Sequence, residues 1–269
     1  MRPKRIVLLA DGHNGSRYAL AHPDQAPRKG KGAKTRAVLW DIWKTCAAGE
    51  WGKPDAIIYN GDAVDGQNPR GRGVGQWTTD LDEQADGAAE LIKMWMGAKT
   101  RVYMIRGSDY HVESNGLNVE EHVARQLGAE PYPGGDGERS GWHWFLTFGR
   151  WTFHVQHYVG ATSVAARRST PLATAMLNVK LHEDIAEHKA RVTVRAHAHN
   201  YVHTEYSNTH GFILPCWKAK DAYMLKGRVL AYATDIGFVG IEIRGDQFAY
   251  DKQTWKLDAI QPKPHTVAW

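Results

Sequence analysis

Short apolar runs that stop at a carboxylate or an imidazole constrain this chain more than any other feature. The first, Ile6-Val7-Leu8-Leu9-Ala10, ends at Asp11-Gly12-His13. Five apolar residues in a row are too few for a buried helix, yet they suffice for a strand covered on both faces. In open α/β sheets ligands bind at the carboxyl edge of the strands, and such a strand delivers Asp11 and His13 there. Gly12 carries no Cβ and is expected to free the turn between them. The pattern recurs. The run 56–59 leads into Gly61-Asp62-Ala63-Val64-Asp65, and the run 101–105 leads into Gly107-Ser108-Asp109-Tyr110-His111. A strand from Trp151 ends at His157, and one from Arg191 ends at Ala196-His197-Ala198-His199.

Helical spacing alternates with these strands. Residues 35–48 place Val38, Leu39, Ile42, Trp43 and Cys46 on one face, and residues 79–97 do the same with Leu81, Ala85, Ala88, Leu91, Ile92 and Trp95. Asn118 with Glu121 forms a start like a capping box for a helix that stops at Gly128. Thr170-Pro171 opens a helix expected to run to about 188. A hairpin turn at Gly149-Arg150 joins strands over 142–148 and 151–157, and short strands are expected over 212–214, 228–232, 238–243 and 247–250. No repeat or long linker divides the chain. The reading is α/β, one domain over 1–269, with a basic loop at 14–36 and an irregular tail from about 255. Two packed sheets with helices outside satisfy this order.

The hydrophobic fraction of 42% supports a packed core over the 269 residues. No apolar run approaches the roughly 20 residues of a membrane span, and the run after the first basic residues is too short for a secretion signal. Cys46 and Cys216 lie far apart in no metal-type spacing, which suggests a reducing, cytoplasmic setting. No membrane and no obligate protein partner is expected. The net charge of +5 is concentrated between residues 14 and 36, where Arg17, Arg28, Lys29, Lys31, Lys34 and Arg36 face Asp24 alone. A charge run is commonly a solvated loop. Beside a cluster of donors it also suits a phosphate-bearing substrate.

The donors at the strand ends mix carboxylate and imidazole without thiolate. That set suits Mn²⁺, Fe or Zn²⁺ better than Ca²⁺. It exceeds what one tetrahedral ion needs and fits two ions about 3.5–4 Å apart. Taken singly, His157 reads more often as a core histidine than as a ligand, and His154 is its equal by type; the strand-end position favours His157. His182, His188, His203 and His210 read as surface or supporting residues. Trp77 and Trp217 are candidate stacking platforms, with core packing the plainer reading.

In their order the pieces Asp11-Gly-His13, Gly61-Asp62-Ala-Val-Asp65, Gly107-Ser-Asp-Tyr-His111, His157 and Ala196-His197-Ala-His199 resemble the calcineurin-like metallophosphoesterases. The resemblance implies a two-sheet β-sandwich flanked by helices, layered αββα, with a dinuclear site. It assigns Asp11, His13, Asp62 and His199 to one ion, and Asp62, His157 and His197 to the other. Two departures stand out. Ala196 replaces a glycine. In the third piece the expected Asn ligand and its adjacent His are missing, so Asp109, Ser108 or water takes the ligand's place. This resembles a variant of phage-borne members.

The expected chemistry is metal-dependent phosphoester hydrolysis by a metal-bound hydroxide. Two divalent ions, Mn²⁺ foremost with Fe or Zn²⁺ as alternatives, clamp the phosphate. Arg17 and Arg72 neutralise charge and His111 protonates the leaving alkoxide. The basic segment favours a phosphodiesterase or nuclease on DNA, RNA or a nucleotide. A phosphomonoesterase for small molecules or phosphoproteins, and a non-catalytic nucleic-acid-binding module, are the alternatives.

Overall fold

The computed structural model describes residues 2–68, 72–114, 117–160, 162, 164–181, 189–221 and 234–257. Two sheets form its centre. The first contains β1 (Lys4–Leu9), β2 (Ala56–Asn60) and β3 (Arg101–Ile105). A ribbon follows in the chain, β4 (Glu113–Ser114) with β5 (Leu117–Asn118). Strand β6 (Ser140–Gly141) belongs to the first sheet; β7 (His143–Phe148), β8 (Trp151–Gln156), β9 (Val192–Arg195), β10 (Val202–Tyr206) and β11 (Thr209–Ile213) make the second. The chain returns to the first sheet with β12 (Ile236–Arg244) and β13 (Gln247–Trp255). The strand orders are β13-β12-β1-β2-β3-β6 and β10-β11-β9-β8-β7. Helices α1 (Ala33–Ala48), α2 (Leu81–Lys93) and α4 (Val119–Gln126) belong to the first half of the chain, with the single turn α3 (Asp109–Val112) between them. Helix α5 (Thr170–Leu181) follows β8.

The layers follow from the period of two along each strand. On β1, Ile6 and Leu8 enter the core between the sheets, with Phe153, Val155, Val192, Val194, Phe212 and Ile241. Val7 and Leu9 enter the core beneath the helices, with Leu39, Trp43, Trp95, Val123 and Phe238. Helix α5 packs Leu172 and Met176 against Ile213 on the other side. The result is the expected two-sheet sandwich with helices outside. Strands β1, β2 and β3 are parallel neighbours, as are β8 and β9. Their carboxyl ends therefore point the same way within each sheet.

Several local expectations hold. Asn118 caps α4 by accepting from the Glu121 amide (3.0 Å), and Gly149-Arg150 joins β7 to β8. Trp217 is wholly buried against Trp43, so it is core. Others shift. Helix α2 is shorter than 79–97 because Asp80 caps it, accepting from the Asp82 and Glu83 amides. Val38 is 37% exposed, not inward. Of the hairpin β10–β11, the strand expected over 212–214 covers only the end of β11, and β10 has no counterpart in the sequence reading. Its strand Val202-His203-Thr204-Glu205-Tyr206 lacks an apolar alternation, and its turn uses Ser207 and Asn208 at positive φ instead of glycine. The strand expected over 228–232, the end of α5 towards 188, and most of the tail lie outside the described residues.

Phe153 is fully buried between the sheets. Phe153→Ala is expected to lower the unfolding free energy by about 3–5 kcal/mol, whereas Val38→Ala stays within about 0.5 kcal/mol. Urea denaturation followed by circular dichroism measures both. A mild loss at Phe153 would contradict the inter-sheet core.

Candidate metal centre

Five of the donors sit in left-handed backbone: Asp11, His13, Asp62, His197 and His199, with φ of 53°, 46°, 52°, 68° and 54°. Such geometry costs on the order of 1–3 kcal/mol per residue and persists only where its surroundings enforce it. Here amides tie one strand-end loop to the next. Asp11 N–H donates to Gly61 O, His13 N–H to Asp62 O, and Asn14 N–H to Ala63 O, all at 2.9 Å. Ala196 N–H reaches His157 O and Trp217 N–H reaches Asp11 O, also at 2.9 Å. The expected role of Gly12 is corrected by this geometry: the positive φ falls on its neighbours. Gly12 is required for room, because a Cβ there would collide with the Tyr59 hydroxyl. Gly107 has the same task, since a Cβ would run into Asp62.

The side chains then converge. His13 Nε2 lies 3.1 Å from His199 Nε2, and His199 Nε2 lies 3.2 Å from Asp11 Oδ1. His157 Nε2 lies 3.2 Å from Asp62 Oδ2 and 3.9 Å from Asp11 Oδ1. His13 Nε2 is 3.8 Å from both Asp11 Oδ1 and Asp62 Oδ2. Three interlocking donor sets result: Asp11, His13 and His199; His13, Asp62 and His111; Asp62, His157 and His197. Asp11, His13, Asp62 and His157 are each at most 2% exposed.

The outer nitrogens of three imidazoles face groups of the protein. His157 Nδ1–H donates to Asn60 O (2.7 Å) and His111 Nδ1–H to Asp65 O (2.8 Å). His13 Nδ1 faces Asp65 Oδ1 at 3.3 Å, and that carboxylate is held by Lys218 Nζ at 2.9 Å. Each arrangement leaves Nε2 facing the cluster, the pattern that orients metal-bound histidines. Asp11 Oδ1 and His157 Nε2 are buried without a hydrogen-bond partner among the described residues. Buried polar atoms are otherwise almost always partnered. Orphaned oxygen and nitrogen donors aimed at one another fit a divalent cation, and the absence of sulfur suits Mn²⁺, Fe or Zn²⁺.

Burial alone would raise Asp62, but His157 and the other imidazoles around it hold it well below the usual carboxylate range. Burial likewise opposes a proton on His157, and the Asp62 carboxylate overrides it, pushing this imidazole up to about 10. His111 goes the other way: burial pushes it down to about 4. His197 is also lowered, by burial and then by His157.

Asp109 is exposed in the first turn of α3 and joins none of the three donor sets. Ser108 takes its place beside Asp62, donating its amide to Oδ1 (2.8 Å) and its hydroxyl within 3.1 Å of both oxygens. Arg17 donates Nε to Gln76 O (2.7 Å), and the Gln76 side chain in turn donates to Asp65; Arg72 is exposed. Part of the basic segment is structural. Arg36 is 5% exposed and donates to Arg17 O, while Arg28 pairs with Asp24. Lys29, Lys31 and Lys34 are exposed. His154 stacks on Phe145 (4.7 Å) away from the cluster. His182 and His188 lie outside the described residues. His203, Glu205 and His210 form a separate donor set on β10–β11, with His210 paired to Val192 at the opposite end of β9 from His197.

Two supporting residues carried no sequence signal. Lys218 is 6% exposed and anchors Asp65. Glu120 is fully buried and accepts from Ala63 N–H (2.7 Å) and Gly107 N–H (2.6 Å), joining the loops after β2 and β3. In the sequence it is one more residue in the first turn of a capped helix.

No family model matches this chain, and neither does any curated protein. Among solved structures, Vps29 from Entamoeba histolytica, complexed with Zn²⁺, is similar over 94% of this chain and 98% of its own, at 9% identity and a TM-score of 0.46. A conserved protein from Streptococcus pneumoniae, described as a predicted phosphoesterase, is similar over 93% of this chain and 89% of its own, at 12% identity and a TM-score of 0.41. Vps29 from Chaetomium thermophilum is similar over 94% and 98%, at 10% identity and a TM-score of 0.42. The chemistry of the cluster is read from its own donors. Among the described residues no helix is long and apolar enough to cross a membrane.

Protons and cations compete for these atoms. An imidazole pushed up to about 10 still holds its proton at pH 7, so cation uptake there must release it, and raising the pH removes the competitor. Mn²⁺ or Zn²⁺ affinity is expected to rise about tenfold per pH unit for each proton displaced. Calorimetry in buffers of different ionisation enthalpy reads the released protons. Uptake without proton release, or equal uptake by Asp62→Asn, would contradict this centre.

Proposed function

We propose that this chain is a metal-dependent phosphoester hydrolase acting on phosphodiesters of nucleic acid or nucleotide type. The observation that carries the reading is the set of interlocking donors that share Asp62 and His13, with buried oxygen and nitrogen atoms aimed at a common centre. Asp11, His13, Asp62 and His199 would hold one divalent cation, and Asp62, His157 and His197 a second, with Mn²⁺ the favoured ion. Cations bound there would polarise a phosphoryl oxygen and lower the pKa of water. Exposed Lys29, Lys31 and Lys34 in the segment that follows His13 favour a polyanionic substrate over a small monoester.

The chain's own residues set the stage. Ser108 fixes the Asp62 carboxylate from one side, and Asp65, braced by Lys218, fixes the His13 ring. Glu120 keeps the second and third loops in register. His111 spends its Nδ1–H on Asp65 O and stands 4.6 Å, ring to ring, from His13. A neutral imidazole so tied offers a lone pair towards His13 and Asp62. His111 is therefore proposed as the donor that stands in for the missing Asn, ahead of its expected role as the general acid.

Turnover of bis-p-nitrophenyl phosphate is expected to fall to background with EDTA and to return with Mn²⁺, and to exceed that of p-nitrophenyl phosphate. Metal-independent turnover would overturn the reading, a monoester preference would move it to a phosphomonoesterase, and salt-sensitive DNA retention without cleavage would mark a binding module. His111→Ala is expected to lower bound metal and to slow good and poor leaving groups alike. An acid role predicts instead a loss of about 10²–10⁴-fold confined to poor leaving groups, with the metal content intact.

A further inference from the structure

A cleft of about 710 Å³ opens between α5 and the outer face of the second sheet. Phe145, His154, Tyr158, Arg167, Asn178 and Arg195 are among its lining residues. It adjoins the donor cluster through the backbone. Arg195 stands two residues before His197 on the same strand end, about 7 Å along the chain. Tyr158 directly follows His157, is 61% exposed, and its ring lies 5.1 Å from that of His197.

Arg195 is the informative residue. It is 4% exposed, yet its guanidinium donates only to neutral groups: Val194 O (2.8 Å), His154 O (3.3 Å) and His154 Nδ1 (3.1 Å). His154 accepts at Nδ1 and burial pulls it down to about 3, so this neighbour carries no charge at neutral pH. No carboxylate among the described residues pairs with Arg195. A buried cation without an anion is costly unless something supplies one, and the wall of a cleft is where a ligand does so. Arg167, exposed at the end of the short 3₁₀ turn Ala165–Arg167, adds a second cation to the lining. The stacked pair Phe145–His154 and the exposed Tyr158 ring supply flat apolar surface. Cations interleaved with aromatic faces suit a nucleotide better than a simple anion.

We propose that this cleft is a nucleotide subsite of the metal centre: it takes the nucleoside beside the scissile phosphate, stacks its base on Tyr158, and sets the next phosphate of the strand against Arg195 and Arg167. This rests on the proposed phosphodiesterase activity and narrows its substrate to a strand carrying a second phosphate. Arg195 is suited to that task, since a guanidinium binds phosphate through two parallel N–H groups.

The test compares thymidine 5′-(p-nitrophenyl phosphate) with the same ester carrying a 3′-phosphate, using the Mn²⁺-loaded protein. The 3′-phosphate is expected to lower KM about tenfold. Arg195→Gln should bring the ratio of the two KM values close to one, and Arg167→Ala should reduce it. Because KM is unaffected by an inactive fraction, partial misfolding of the Arg195 variant does not disturb the ratio, and Arg167 is exposed enough to replace safely. A wild-type ratio of one, or a ratio unchanged in both variants, would overturn the subsite. If the wild type hydrolyses neither ester, the proposed activity fails separately. Calorimetric titration with thymidine 3′,5′-bisphosphate and thymidine 5′-monophosphate then decides the subsite: tighter bisphosphate binding that disappears in Arg195→Gln supports it, and equal binding of the two by the wild type refutes it.

Discussion

Left-handed backbone at the strand ends is the constraint on which the centre depends. Asp11, His13, Asp62, His197 and His199 adopt a conformation that L residues avoid. At on the order of 1–3 kcal/mol each, these residues would relax if their loops were free. They are not free, because the amides of the first loop are consumed by carbonyls of the second, and Ala196 by the carbonyl of His157. Pairing of the sheet thus continues past the last residue of the strands, and it turns side chains that would alternate faces towards one point. Stability of the sheets is converted into position of the donors.

Charge acts to the same end. Asp62 lies where four histidines meet: the Ser108 amide holds Oδ1, the Ser108 hydroxyl reaches both oxygens, and His157 approaches Oδ2. Two carboxylates and their imidazoles, nearly all out of contact with water, would repel or discharge one another unless each found an opposite partner. Burial alone would neutralise Asp11 and Asp62, yet both are held below the ordinary carboxylate range, Asp11 chiefly by His199 once burial is overcome. A cluster in that condition suits cations. Its protons occupy the nitrogens through which a metal would be bound.

The parts of this arrangement that were legible in the sequence share one property: they are local in the chain. A run such as 6–10 announces both a strand and the donors that end it, and parallel pairing does the rest. Lys218 and Glu120 were not legible, because their importance arises only from contacts across 153 and 57 residues, with Asp65 and Ala63. A lysine after a core tryptophan, or a glutamate in the first turn of a helix, has no pattern that marks it as buried. Asp109 shows the converse. Residue type and order made it a candidate, but the turn α3 starts there and leaves it exposed, while its neighbour Ser108, one residue back, faces Asp62. Gly12 shows the same limit, since conformational freedom and spatial room are indistinguishable until the neighbouring Tyr59 is in place.

Strands β8 and β9 serve the core, the cleft and the donor cluster at once. Their inward residues, Phe153 and Val155 on one and Val192 and Val194 on the other, fill the core between the sheets. Their outward residues include His154 and Arg195, which line the cleft beneath α5. Their ends supply His157, His197 and His199. Period two fixes which residues belong to the core and which to the cleft, and the end of the strand fixes which belong to the cation site. A slip of one residue in the pairing of β8 with β9 would exchange core and cleft and displace the donors in the same stroke. The hydrophobic pattern that holds the sandwich together therefore also holds the two candidate sites at a fixed spacing, and neither site can be moved without unmaking the core.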